Sequence, residues 1–176
     1  MLRALLLLTA LLGGCVSFSP RDPSPVPLAG PVDLPRFMGD WYVIAHIPSD
    51  YDRGSHAAVE TYRLNDDGSI ATLYSNRLGG FDGEPKTMTP TMHVLDDSGN
   101  ALWGVRFFWW WPFLYEYRVA HLETDYSAAI IARSDLDFLW IFSRTPTMSE
   151  KQYQGYVKRI AGWGYDVNKL EKVPHR

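Results

Sequence analysis

The chain has 176 residues, 46% hydrophobic and 14% aromatic, enough for one domain with a sizeable core. Its formal net charge is −3, with no long block of one sign, which argues against a nucleic-acid surface and leaves nucleic acid out of the expected partners. It has a single cysteine, which excludes an internal disulfide.

The first residues read as a processing segment. Arg3 supplies a positive start, Leu5 to Leu12 a short apolar run, and Leu12-Gly13-Gly14-Cys15 a small-residue cleavage site. The run is too short to span a bilayer. The pattern resembles a bacterial lipobox, which implies an acylated Cys15 as the new first residue. One acyl chain holds a protein at a membrane only marginally, whereas the several chains of such a cysteine anchor it stably. Val16 follows, where inner-membrane retention in enterobacteria uses aspartate, so the expected location is the outer membrane, lipid-anchored, on its periplasmic face. Ser17 to Pro35 holds six prolines and reads as a semi-extended spacer. The expected division is signal peptide 1–14, lipidated cysteine and spacer 15–35, folded domain 36–176.

The fold begins at Phe37-Met38-Gly39-Asp40-Trp41-Tyr42-Val43-Ile44-Ala45, a short apolar turn that runs into an alternating segment. Alternating runs then recur, separated by turn chemistry. The first is Trp41–Ile47, followed by a polar connection, Pro48–His56. The second, Ala57–Asn65, and third, Ser69–Arg77, are joined by Asp66-Asp67-Gly68, a hairpin signal. A Gly-rich loop, Leu78–Pro85, leads to the fourth run, Lys86–Leu95. Asp96 to Asn100 turns the chain into the fifth, Ala101–Trp109. Pro112 cannot donate to a ladder and marks a loop. The sixth run is Leu114–Leu122, the seventh Tyr126–Arg133 and the eighth Phe138–Ser143. Eight strands suit an up-and-down antiparallel barrel, which removes sheet edges and can hold one small ligand. Thr147-Met148-Ser149-Glu150 has capping-box spacing, and Tyr153, Tyr156, Val157, Ile160 and Ala161 recur at helical spacing up to Gly162 and Gly164. One helix is expected outside the barrel, then a short strand over Tyr165–Leu170.

Three places together resemble the lipocalin family, and within it the bacterial outer-membrane lipoproteins of the apolipoprotein D-like group. They are Gly39-Asp40-Trp41-Tyr42, Thr124-Asp125-Tyr126, and Phe138 to Pro146 with Arg144. The resemblance covers about Leu34 to Val173. It implies an all-β, eight-stranded barrel with one C-terminal helix, in which Arg144 stacks over Trp41 and Gly39 belongs to the same closing motif. A guanidinium on an indole face contributes about 0.5–2 kcal/mol.

Alternation then assigns faces, because side chains two apart share one. If Trp41 points inward, so do Val43 and Ala45. The other expected cavity residues are Glu60, Tyr62, Tyr74, Asn76, Met92, Val105, Phe107, Tyr117, Val119, Ile130, Phe138, Trp140 and Phe142. Tyr115 and His121 share the parity of Tyr117, and Leu64 that of Tyr62. Ala128 and Ala132 share that of Ile130, and with Ala45 suggest an unfilled interior. This largely apolar lining suits an acyl chain with its polar head near the mouth. A sixteen-carbon tail would release on the order of 10 kcal/mol gross, at about 0.8 kcal/mol per methylene, before association costs.

Trp109, Trp110, Trp111 and Phe113 fall in the connection expected at the open end. Tryptophan favours a membrane interface, so these are candidate membrane contacts, and the same patch also offers a homodimer interface. No Cys-x-x-Cys, His-Glu-x-x-His, Gly-x-Ser-x-Gly or phosphate loop occurs, and the five histidines are scattered. No catalytic residue, metal or cofactor is therefore expected. The function expected is binding, storage or transport of fatty acids, lysophospholipids or phospholipids in the cell envelope. Alternatives are a binder of a haem, pigment or antibiotic, and a lipid-modifying enzyme.

Overall fold

The structure is a computed structural model and describes residues 24–95 and 98–176. The acylation motif at Cys15 lies outside the described residues. Asp33 caps a single turn, α1 (Leu34–Phe37), by accepting from the Arg36 amide at 3.2 Å, and Pro35 suits its first turn. The chain then enters β1 (Gly39–Ile47), β2 (Ser55–Leu64) and β3 (Ile70–Leu78). The hairpin between β2 and β3 turns at Gly68, whose φ of +80° the Asp-Gly signal anticipates.

The expected fourth run is broken by Pro90 into β4 (Glu84–Met88) and β5 (Thr91–Val94), both paired with β3. After β6 (Leu102–Arg106), β7 (Tyr115–Leu122), β8 (Ala128–Ala132) and β9 (Leu139–Ser143), β9 pairs back onto β1. Every pairing is antiparallel, and with β4 and β5 sharing one position the result is a closed eight-stranded barrel. The last short strand is not at Tyr165–Leu170. A 3-10 turn occupies Val167–Lys169, and β10 (Glu171–Lys172) pairs with β1 at Ala45 and His46, beyond the part of β1 that β2 covers.

Helix α2 (Glu150–Gly162) starts at Ser149, whose hydroxyl accepts from the Gln152 amide. The cap is therefore Ser149 rather than Thr147, and the Gln152 side chain donates instead to the Tyr156 hydroxyl at 3.1 Å. Tyr153, Tyr156 and Ile160 form its buried stripe. They pack with Ile44, Ala45, Ala120, Ala128, Ile130, Ala132 and Ile141 in an apolar layer outside the barrel wall, separate from the interior cluster around Trp41, Tyr62, Trp103 and Phe142. Alanines on that wall let the helix lie close.

The proline-rich leader is not a spacer as far as Pro35. From Ser24 it is docked along the barrel. Arg118 donates to the Val26 carbonyl at 3.2 Å, the Ala29 amide to Val119 and the Asp33 amide to the Tyr126 hydroxyl. Val26 and Val32 are each 1% exposed.

The barrel is closed at one end by α1 and Arg144. The Arg144 guanidinium carbon lies 3.7 Å from the Trp41 ring centroid. Its nitrogens donate to the carbonyls of Asp40 (2.8 Å), Arg36 and Phe37 (both 2.9 Å), while Trp41 donates its indole N–H to Phe37 at 2.8 Å. Gly39, at φ +91°, lets the chain turn between α1 and β1 under this arginine. Arg144→Ala removes one ring contact and three charge-assisted bonds. We expect a loss of about 2–3 kcal/mol in urea unfolding, with ligand affinity of the folded protein little changed.

Candidate functional site

The barrel encloses a cavity of about 340 Å³, open at the end opposite Trp41. Its apolar and aromatic lining comes from most of the strands and mouth loops: Tyr74, Met88, Pro90, Met92, Val105, Phe107, Tyr115, Tyr117, Phe138 and Trp140. Tyr117 stacks on Trp103 at 5.5 Å and on Trp140 at 6.2 Å, so the aromatic wall is continuous from the interior cluster to the cavity.

Glu60 is a buried carboxyl on this cavity, 7% exposed. In register it stands opposite Trp41 on β1 and Tyr74 on β3, which places it close to the closed end. Burial pushes its carboxyl up to about 8, opposed by a hydrogen bond with Tyr62 and reinforced by the negative Asp52. Glu60 is thus largely a neutral acid at pH 7. Tyr62 and Tyr117 join their hydroxyls beside it, and burial holds both phenols well above their ordinary range.

A second polar group sits higher in the barrel. Asp52 bonds to His46 Nδ1 at 3.1 Å, and accepts from the Ser49 amide and hydroxyl at 2.7 Å. Burial alone would raise the Asp52 carboxyl, but the His46 and Ser49 bonds outweigh it and hold it below the ordinary value. Ser55 donates to the Asp52 carbonyl and accepts from Asn76 at 2.6 Å. At the mouth, Arg133 is, among the described residues, the one cationic side chain lining the cavity, paired with Asp135 and Asp137 at 3.2 Å each. Glu116, also on the lining, is tied to Arg118 and Ser134.

The residues expected at the cavity divide into three groups. Glu60, Tyr74, Met92, Val105, Phe107, Tyr117, Phe138 and Trp140 line it. Val43, Tyr62, Val119 and Phe142 belong to the interior cluster without lining the cavity, and Asn76 is buried against Ser55 and Tyr74. Ala45 and Ile130 are on the other side of the wall, under α2, together with Ala128 and Ala132. For Ala45 the reason is a β-bulge after Val43. Val43 still pairs with Phe142, but Ala45 pairs with Ile141 and His46 with Trp140, so the parity flips and His46 turns inward. A second bulge, between Val119 and His121, sends His121 outward to Glu123 and Tyr156. In β8 every residue from Ala128 to Ala132 is buried, so alternation carries no mark of which face is inside; Ala129 and Ile131 are the interior pair. Leu64, assigned inward with Tyr62, is 38% exposed where β2 runs past the barrel's closed end.

Sequence reasoning missed His46, Asp52 and Arg133 as cavity-side groups. The signal for the first pair was a histidine in an otherwise apolar strand followed by Ser49 and Asp52 in a tight polar loop. Among the described residues no three His, Cys, Asp or Glu side chains stand close enough to hold a metal ion.

A family model described as Lipocalin-like domain matches residues 32–175. The chain is 35% identical over 152 residues to the outer membrane lipoprotein Blc of Citrobacter freundii, covering 86% of this chain and 84% of that one. It is 34% identical over 154 residues to temperature-induced lipocalin-1 of Arabidopsis thaliana, covering 81% and 79%. Among solved structures, insecticyanin of the tobacco hornworm Manduca sexta superposes with a TM-score of 0.63 over 84% of this chain and 83% of that chain, at 18% identity, a likeness of fold.

The raised Glu60 carboxyl makes stability depend on pH. Below its ordinary value of 4.5, folded and unfolded chains both hold the proton. Between 4.5 and about 8 only the folded chain does, so stability falls as pH rises, on the order of 1 kcal/mol per pH unit from this group. Urea unfolding at pH 5 and pH 8 should show this fall in the wild type and a distinctly smaller one in Glu60→Gln.

Proposed function

The chain belongs to the lipocalin-like family, and on that premise we propose that it binds a lipid with one acyl chain, for storage or transport in the cell envelope. The observation that carries this reading is the cavity itself: about 340 Å³, with an aromatic and apolar wall and a buried inner end. Ligand cavities span roughly 300–1,000 Å³, and this one stands at the small end, which favours a fatty acid or lysophospholipid over a two-chain phospholipid.

The charge pattern sets the orientation of such a ligand. The tail enters the barrel, where its methylenes leave water at about 0.8 kcal/mol each. Near the closed end Glu60 is held neutral, and among the described residues no cationic side chain lines the cavity to receive an anionic head there. The head remains at the mouth, where Arg133, paired with Asp135 and Asp137, is the cation that the described lining offers. The protein acts by binding, and its polar groups at the cavity orient and exclude rather than react.

The Gly14-Cys15 motif and the likeness to outer membrane lipoproteins support acylation of Cys15 and attachment to the outer membrane at its periplasmic face. Cys15→Ser should move the protein from the membrane to the soluble periplasmic fraction.

The ligand reading is tested on protein purified from its own cells by native mass spectrometry. We expect fatty acid or lysophospholipid; recovery of a haem or pigment would replace the lipid reading. Val105→Trp fills the cavity from β6. It should weaken binding of a fluorescent fatty acid at least about tenfold, or 1.4 kcal/mol, while thermal melting confirms that the barrel remains folded.

A further inference from the structure

The nine residues from Phe107 to Tyr115 carry no charge, and they connect β6 to β7 at the mouth, where Phe107 and Tyr115 line the cavity entrance. The loop has a defined shape. The Trp111 amide donates to Phe108 at 3.0 Å, Phe108 stacks on Trp110 at 5.4 Å, and Trp111 packs edge-on against both Trp110 and Phe113. Packing against itself does not bury it. Trp109 is 89% exposed, Phe113 63%, Trp110 59% and Phe108 57%. A contiguous apolar surface of this kind on a folded domain marks a contact site.

The leader says which contact. It docks at the closed end through Asp33 and Tyr126, passes Val119 at Ala29, and reaches Arg118 at Val26. Strand β7 runs from the mouth at Tyr115 to the closed end at Leu122, so the leader, followed backwards, climbs towards the mouth. Cys15 lies nine residues before Ser24, a reach of at most about 32 Å at 3.3–3.6 Å per residue. The described leader ends at mid-barrel beside Arg118, and a linker of that reach lets an acyl anchor on Cys15 hold the protein to a bilayer that the mouth and its bare aromatics face.

We propose that the Phe107–Tyr115 loop is a bilayer-contact site that, with the anchor, turns the barrel mouth to the membrane so that lipid passes between leaflet and cavity. The proposal rests on the acylated, lipid-binding reading above. Tryptophan and phenylalanine suit this contact because their rings settle at the boundary between headgroup and hydrocarbon. With no charge in the loop, the contact is hydrophobic and insensitive to salt. An acyl chain entering between Phe107 and Tyr115 would stay among apolar groups along its path.

The test uses the full chain with Cys15→Ser, which removes the anchor, and vesicles of phosphatidylethanolamine and phosphatidylglycerol. The protein should bind these vesicles, and brominated acyl chains should quench its tryptophan emission. The triple variant Trp109→Ser, Trp110→Ser, Phe113→Ser should bind at least about tenfold more weakly. It should also slow transfer of a fluorescent fatty acid from vesicle to protein by a similar factor. Its affinity for the same fatty acid in solution should not change, since none of the three side chains lines the cavity. Equal vesicle binding by the variant, or binding abolished by salt, would overturn the proposal. So would a wild-type dimer that the three substitutions dissociate, which would assign the patch to a second copy. Failure of fatty acid to bind in solution would instead sink the lipid reading, while the vesicle measurement stands apart from it.

Discussion

The contact on which the barrel depends is the Arg144 guanidinium lying on Trp41. A closed sheet has no free edges along its sides, but its ends still have to be finished. At this end the chain arrives through α1 and Gly39, and leaves β9 with carbonyls of Arg36, Phe37 and Asp40 converging on one place. A planar cation with a fork of donors can bond all three carbonyls while its face covers an indole. Lysine would supply the charge without the geometry. The same arginine joins the first and last barrel strands, so the end of the sheet and its closure are secured together.

Above that floor the interior is not uniformly apolar. The lower cavity holds a carboxyl that burial keeps protonated near neutral pH, beside two joined phenols. The upper part holds Asp52, kept ionised by His46 and Ser49. Each group is tolerable for a different reason: Glu60 by giving up its charge, Asp52 by finding donors for it. The result is a cavity whose greasy wall drives binding while its polar groups restrict how a ligand lies. The β-bulge after Val43 makes this possible, because it turns His46 into the barrel where simple alternation would have put it outside.

The mouth and the leader belong to one design. A strap of chain that would be a solvated spacer by composition instead buries Val26 and Val32 and runs up the barrel beside β7. It thus leads back towards the uncharged aromatic loop. On the proposed acylation of Cys15, an anchor, an entrance and an apolar path would act together at one membrane face.

The amino-acid sequence alone determined the architecture, because strand periodicity and turn chemistry are local. The alternating runs, Asp67-Gly68, and the helical stripe of Tyr153, Tyr156 and Ile160 were legible as residue patterns, and the pairing of Trp41 with Arg144 came from the family resemblance that those motifs carry. Most of the cavity wall was legible too, from Glu60, Tyr74 and Met92 to Tyr117 and Trp140, since period-2 alternation survives in an undistorted strand. Tertiary structure decided what depends on register between strands. Ala45 and His121 changed sides at bulges, which are set by neighbouring strands rather than by their own sequence. Ile130 was expected in the cavity but lies under α2, because β8 is covered by the interior on one face and by α2 on the other, so both parities look apolar. The docking of Val26 rests on a hydrogen bond to Arg118, far along the chain, and no local pattern carries it, whereas Asp52 is held by its near neighbours His46 and Ser49 and turns inward because the bulge in β1 turns His46 inward.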